Sequence, residues 1–415
     1  MFSSLTGFEV AAALIVLTAV FCFLNVWIFK AQTTVALVAM GAVVAATIAV
    51  ADMLTPQNHF IADLEDFLSR VDFRATVLNG MLSFLLFAGA LHVDLSQIAR
   101  VRWPVMVLST LGVVTTMLIV GGGLFLVTGW LGIPVPLIYC LTFGALISPT
   151  DPVAVLAILK GKGLPLQVEA TVAGESLFND GVAIAAFTVL SAAAVNHHDI
   201  SLFEAGELFL VEGGGGIALG LITGGIAFLA MHAIDDYRVE LMISLALVMG
   251  GYALASRIGV SGPIAVATAG LIIGNHGVAH AMSDTVRDYL LKFWEVLDEI
   301  LNSALFLLIG LFAIMLFHDV RLILVGLISI PIVLLARAIS VGVPLPLWGK
   351  TLPFRTAFPI LVWGGLRGGV SIALVLSLPE TPMRDVLLGA TYVVVLFSVL
   401  GQGGTLAALV RRLPG

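Results

Sequence analysis

The chain reads as long apolar stretches separated by short polar ones. A stretch of about 20 apolar residues is long enough to cross the hydrocarbon of a bilayer. Thirteen candidate spans follow, at about 8–29, 33–52, 75–91, 104–129, 136–159, 167–195, 208–231, 239–257, 262–274, 294–317, 321–343, 354–379 and 385–409. Two pieces have a different pattern. Residues 60–73 place Ile61, Leu64, Leu68 and Val71 at helical spacing, which predicts a short amphipathic helix lying at the interface. Residues 276–292 have a similar pattern on the opposite side. The first stretch has no Lys or Arg before Lys30 and is too long for a signal peptide, so it is expected to be a retained span.

The ninth span is short, so the parity of the count rests on charge. Loops on the cytoplasmic side are enriched in Lys and Arg. Loops after odd-numbered spans and the C-terminal tail hold twelve: Lys30, Arg100, Arg102, Lys160, Lys162, Arg238, Arg287, Lys292, Lys350, Arg355, Arg411 and Arg412. The other side holds Arg70, Arg74, Arg257, Arg321 and Arg384. This asymmetry predicts an N-terminus outside and a C-terminus in the cytoplasm. Arg337 and Arg367 are left over, and both fall inside spans, where charge is costly and usually functional.

Composition narrows the class. The chain is 60% hydrophobic and 11% charged, against about 25% charged in an average soluble domain. This excludes a disordered chain, a nucleic-acid binder and an ordinary cytosolic enzyme. The expected unit is one all-α transmembrane body over residues 1–415 with no soluble domain. Cys22 and Cys140 lie in apolar stretches and read as inert fillers. Gly213–Gly216 reads as a site of close helix packing, since no phosphate-loop Lys follows it.

The informative residues are polar ones at bilayer depth. The fifth span contains SPTDP, residues 148–152. Pro149 and Pro152 lack an N–H and disfavour the helix around them. Broken backbone at this depth requires surrounding protein or a water-filled cavity. Two half-helices are therefore expected, with Thr150 and Asp151 in the break, a construction transporters use to hold ions. In the sixth span, Glu175, Ser176, Asn179 and Asp180 share a helix face of roughly 140°. Such a face cannot point at lipid, and the broken fifth span is its nearest polar partner.

The twelfth span holds a second interruption. Gly364, Gly365, Gly368 and Gly369 surround Arg367. It lies seven spans after the first, hence in the opposite orientation, as inverted repeats require. Arg367 has two readings: it balances helix-end dipoles, or it balances a nearby carboxylate. Arg337 needs a carboxylate partner, and Glu175 is the candidate. Asn302 either joins the site or bonds across helices. The eight histidines, His59, His92, His197, His198, His232, His276, His280 and His318, all fall in loops or at span ends, so intramembrane proton handling falls to carboxylates.

The segments SPTDPVAVLAIL, GESLFNDGVAI, FWEVLDEILNSALFLLIGL and WGGLRGGVSIAL together resemble the monovalent cation:proton antiporter-1 family. That family includes the bacterial and archaeal NhaP-type Na+/H+ antiporters and the animal exchangers. SGPIAVATAGLIIGNHG and FLLFAGALHVDL look like its ninth- and third-span segments, and the resemblance runs from about residue 75 to 410. It implies a thirteen-helix antiporter fold with core and dimerisation bundles, a homodimer, and Na+ and H+ as cargo with no cofactor. It assigns the essential carboxylate to Asp180, cation ligation to Ser176 and Thr150, and a contribution to Glu175. It pairs Asp151 with Asn179 across the fifth and sixth spans, and Arg337 with Glu175. Asn179, where a related family has Asp, implies electroneutral 1:1 exchange. Li+ or K+ in place of Na+, and a cation-coupled solute symporter, remain as alternatives. A compact chain of this kind is expected in a bacterial or archaeal inner membrane.

Overall fold

The computed structural model describes residues 7–55, 60, 61, 64, 80–159, 165–196, 202–278, 282–317 and 320–413, and these are almost entirely helical. The helices are α1 (Gly7–Leu24), α2 (Thr33–Leu54), α3 (Leu82–Leu91), α4 (Leu95–Arg100), α5 (Arg102–Ser109), α6 (Leu111–Trp130), α7 (Leu137–Leu146), α8 (Val153–Leu159) and α9 (Leu166–Asn196). They continue as α10 (Leu202–His232), α11 (Tyr237–Ile258), α12 (Gly262–Ile272), α13 (Asp284–Leu311), α14 (Val320–Gly342), α15 (Phe354–Trp363), α16 (Gly369–Leu376), α17 (Pro382–Leu396) and α18 (Gly404–Val410).

Among the described residues, nine helical segments are long and apolar enough to cross a membrane. The chain is a multi-pass membrane protein. The other four expected spans are shorter or broken. The third is represented by α3, and residues 75–79 lie outside the described residues. The ninth is α12 extended by a wide π turn, Ile273–Gly277. The fifth and twelfth are the pairs α7/α8 and α15/α16. Of the expected helix 60–73 only Phe60, Ile61 and Leu64 are described, and Ile61 and Leu64 pack on the main core. Of the interfacial piece expected within 276–292, residues 279–281 lie outside the described residues, and residues 284–292 are the first turns of α13, not a separate helix. Ser283 caps α13 through Val286 N, and nothing breaks the helix between Asp284 and Leu311.

Local chemistry sets the ends of several elements. Asp94 caps α4 by accepting from Ser96 N at 2.8 Å, and its hydrogen bonds with Ser96 hold its carboxyl below the usual carboxylate range. Asp236 caps α11, which stops at Gly259 in a left-handed conformation with φ 75°. Ser261 followed by Pro263 opens α12, and Thr381 followed by Pro382 opens α17. A side-chain cap of this kind contributes about 1 kcal/mol.

Burial separates lipid-facing from central helices. Val16, Val20, Phe23 and Trp27 of the first span are exposed, as lipid contact allows. In α13 every residue from Asn302 to Leu311 is buried, and from Ala304 onward the helix is apolar all round, as a central helix must be. It packs against α2, where Gly41 and Gly310 let the two backbones touch: a Cβ on Gly310 would lie 2.6 Å from Val38 O. Without a hydrophobic drive between helices in lipid, this close fit is what holds them. Gly310→Ala is therefore expected to lower stability by about 1–3 kcal/mol. Thermal unfolding in detergent measures it, and an unchanged melting temperature would contradict this account of the contact.

Candidate ion-binding site

The two interrupted spans meet at their breaks. Leaving α7, the chain is non-helical from Ser148 to Pro152. Prolines at 149 and 152 remove two donors and push the residues before them toward extended backbone. Leaving α15, it is non-helical from Gly365 to Gly368. Asp151 N donates to Leu366 O at 2.8 Å, tying one break to the other. Gly368 permits this meeting, since a Cβ there would lie 3.2 Å from Asp151 Cβ, and Gly365 leaves room for Arg337, whose Nε would lie 2.7 Å from a Cβ at that position.

Arg367 fills the crossing and is 2% exposed. Its Nη1 donates to Ser148 O at 2.6 Å and to Pro149 O at 2.9 Å. These carbonyls belong to the end of α7, where the helix dipole is negative. Of the two readings of Arg367, this is the helix-end one, although Asp180 and Glu175 also lie within range of its charge. Its backbone N–H donates to Ser398 Oγ at 2.8 Å. Ser398 in turn donates to Gln402 Oε1, and Gln402 Nε2 donates to Trp363 O. Ser398 and Gln402 sit in a π turn, Phe397–Gly403, which clamps the second break.

The polar face of α9 lies against the first break. Ser176 Oγ donates to Thr150 O in a short hydrogen bond. Asn179 Nδ2 donates to Thr150 Oγ1 at 2.8 Å. The tie between these spans thus runs through Thr150, not through the expected Asp151–Asn179 pair. Asp151 instead accepts from Val153 N at 2.9 Å and caps α8. A cap two residues away is a local bond that Asp makes readily in this conformation. Thr150 O, Ser148 O and Pro149 O each already accept a hydrogen bond, so fewer carbonyls are free for a cation than the broken helix alone suggests.

Asp180 is 8% exposed, and among the described residues its Oδ1 has no hydrogen-bond partner. The same is true of Asn179 Oδ1 one residue away. Asp180 is within Coulombic range of Asp151 and Arg367. Bare, buried oxygen acceptors suit a proton or a hard cation, which prefers oxygen ligands.

Glu175 is otherwise engaged. Arg337 Nη2 donates to Glu175 Oε2 at 2.9 Å and Nη1 to Glu175 Oε1, a two-pronged ion pair buried on both sides. Arg337 Nε donates to Leu361 O at 2.9 Å. Among the described residues, Asn302 neither hydrogen-bonds to these groups nor bonds across helices. It donates to Asp298 Oδ1 at 3.1 Å, one turn back on α13.

Four residues escaped the reading of the sequence. Ser398 and Gln402 were visible as a polar i,i+4 pair inside an otherwise apolar span. Asp298 was visible at the same spacing from Asn302. Glu240, at the start of the eighth span, looked like a solvated helix end, but it is buried, and among the described residues neither of its oxygens has a hydrogen-bond partner.

The fold and the chain both have relatives. The sodium proton antiporter MjNhaP1 from Methanocaldococcus jannaschii, solved at pH 8, superposes with a TM-score of 0.73 over 97% of each chain at 23% identity, which shows a shared fold. The Na(+)/H(+) antiporter NhaP of Pseudomonas aeruginosa is 42% identical over 98% of this chain and 96% of its own. The Na(+)/H(+) antiporter NhaH of Halobacillus aidingensis is 33% identical over 93% of each. Residues 10–412 match the family described as sodium/hydrogen exchanger, transmembrane, and the chain, a secondary transporter by descent and not an enzyme, belongs to that family.

Proposed function

We propose that this protein exchanges a monovalent cation, Na+ in the first instance, for H+ by alternating access. The observation that carries this reading is Asp180: a buried carboxylate with a free oxygen, placed where two broken helices meet. An empty carboxylate at bilayer depth costs ~2.5–3.5 kcal/mol on insertion scales. Either H+ or Na+ cancels its charge, so the two compete and only the loaded form crosses. Thr150 and Ser176 supply the neighbouring oxygens, and Asn179 holds Thr150 in place. Asp151 positions the break as a helix cap, and Arg337 keeps Glu175 neutralised throughout the cycle. Homology to antiporters of bacteria supports a plasma-membrane location.

The finer features belong to the same proposal. Asp180 binds one cation or one proton, and the neighbouring Asn179 carries no charge, so exchange is 1:1 and electroneutral. The whole chain is one transporter unit, with a core bundle around the breaks moving against a dimerisation bundle in a homodimer. The N-terminus lies outside and the C-terminus in the cytoplasm. The space beside Asp151, lined by Thr34, Val35, Phe306 and Leu366, is too narrow for an organic solute, which favours an ion.

Proteoliposomes with an internal pH dye test this. External Na+, with no organic solute, is expected to alkalinise the lumen, and Li+ and K+ run in turn rank the cations. No signal until a solute is added would point to symport instead. Clamping the voltage with K+ and valinomycin is expected to leave the rate unchanged. A rate that follows voltage would overturn the 1:1 assignment.

A further inference from the structure

The last span reaches the crossing with side chains that the exchange mechanism leaves unused. Its π turn, Phe397–Gly403, separates α17 from α18. Such turns inside helices frequently mark functional sites. Val399 and Gly403 of this turn line the narrow space beside Asp151, together with Leu366 of the second break and Thr34 of α2. A Cβ on Gly403 would lie 3.4 Å from Val35 Cγ2 and 3.8 Å from Leu366 Cδ1, so the turn abuts α2 and the break at once.

The polar contacts of the turn form one relay. Ser398 Oγ accepts from Arg367 N–H at 2.8 Å and donates to Gln402 Oε1 at 2.9 Å, and Gln402 Nε2 donates to Trp363 O at 3.1 Å. Trp363 ends α15 and Arg367 lies four residues further on, so the relay grips the second break near both of its ends. Ser398 and Gln402 are 0% and 4% exposed. A buried network with its groups satisfied rigidifies what it holds. Because Ser398 both accepts and donates, neither end of the break can shift without disturbing the other. The residues so held are the ones that meet the first break. Leu366 O accepts from Asp151 N, and Arg367 Nη1 donates to Ser148 O and Pro149 O. The last span thus sets where the first break lies.

We propose that Ser398 and Gln402 are positioning residues for cation binding. Acting through Leu366 and Arg367, they hold the first break in the geometry that Thr150, Ser176 and Asp180 need around Na+. This rests on the exchange reading above. A hard cation needs several oxygens in place at once, whereas a proton needs one. Sites loosened by a fraction of an ångström lose that shell first. Cutting the relay therefore weakens Na+ binding and spares protonation of Asp180. The apparent KM for Na+ is expected to rise roughly three- to tenfold, the scale of one lost hydrogen bond. The maximal rate at saturating Na+ stays near that of the unaltered protein.

The experiment measures proton movement against Na+ concentration in proteoliposomes, on protein whose melting temperature in detergent is known. Ser398→Ala removes the acceptor of Arg367 N–H. Gln402→Met keeps the side chain's length and removes both of its polar atoms. Each is expected to raise KM, and Ser398→Thr, which keeps the hydroxyl, to leave KM where it was. Both changes cut the same relay, so the double variant should raise KM no further than the larger single effect, whereas independent contributions would multiply. If Ser398→Ala yields no folded protein, Gln402→Met carries the test, since it leaves the Ser398–Arg367 bond in place. A KM unchanged in folded Gln402→Met, a lower maximal rate or melting temperature with KM intact, or multiplying effects in the double variant would overturn the proposal and leave the pair as a helix support. Failure of the unaltered protein to move protons with Na+ would instead overturn the exchange reading.

Discussion

Asp180→Asn is expected to reduce Na+-dependent proton movement at least about 100-fold, to the level of empty vesicles, while leaving the protein folded. The side chain keeps its shape, so packing around α9 is preserved. It loses the ability to bind a proton, and it no longer offers a negative charge to a cation. A cation that enters the crossing would then be buried without a counter-charge, at ~2.5–3.5 kcal/mol on insertion scales. Each 1.4 kcal/mol is tenfold, which places the loss near two orders of magnitude. Stability should move the other way. Asp180 is almost completely buried and one oxygen has no donor, so a neutral amide removes a desolvation cost. The expected pair of results is a dead transporter with an equal or higher melting temperature. Exchange at the unaltered rate would overturn the assignment of Asp180.

Arg337→Ala is expected to damage the fold more than any other single change considered. It removes the partner of Glu175, whose carboxylate is buried. It also strips Leu361 O of its donor. Breaking a buried pair from one side costs about 3–5 kcal/mol, because the surviving charge is left uncompensated. Loss of monodisperse protein and a large drop in melting temperature in detergent are the expected readouts. Changing both partners, with Glu175→Leu and Arg337→Leu together, should recover much of the loss, since a buried pair can often be exchanged for apolar groups. A single variant that melts like the unaltered protein would show that the pair is not a structural support.

What was legible in the chain depended on contrast. Against a background that is 60% hydrophobic, any ionisable residue in a span is conspicuous, so Arg337, Arg367, Glu175 and Asp180 could be found without a structure. The two breaks were legible because Pro and Gly act on the backbone locally. Pairings were harder. Arg337 with Glu175 could be proposed because each lacked another partner. The partner of Asn179 could not, since Thr150 and Asp151 are adjacent and differ only in which way the unwound chain turns. The uses of Arg367 and Asn302 were open for the same reason: a side chain's spacing gives its face, not its nearest carbonyl. The span count was least certain at α12, where a short apolar helix carries a weak signal.

The guanidinium that bridges Ser148 O and Pro149 O has a consequence for the energetics of the whole cycle. In a protein that folds around its metal, binding free energy is folding free energy, and removing the metal unfolds the chain. Here the carbonyls of the broken helix are already met by a positive charge that is covalently part of the chain. The scaffold carries its own permanent counter-ion, so Na+ and H+ are passengers and not mortar. Their binding free energy is left over for choosing which face of the membrane the site presents.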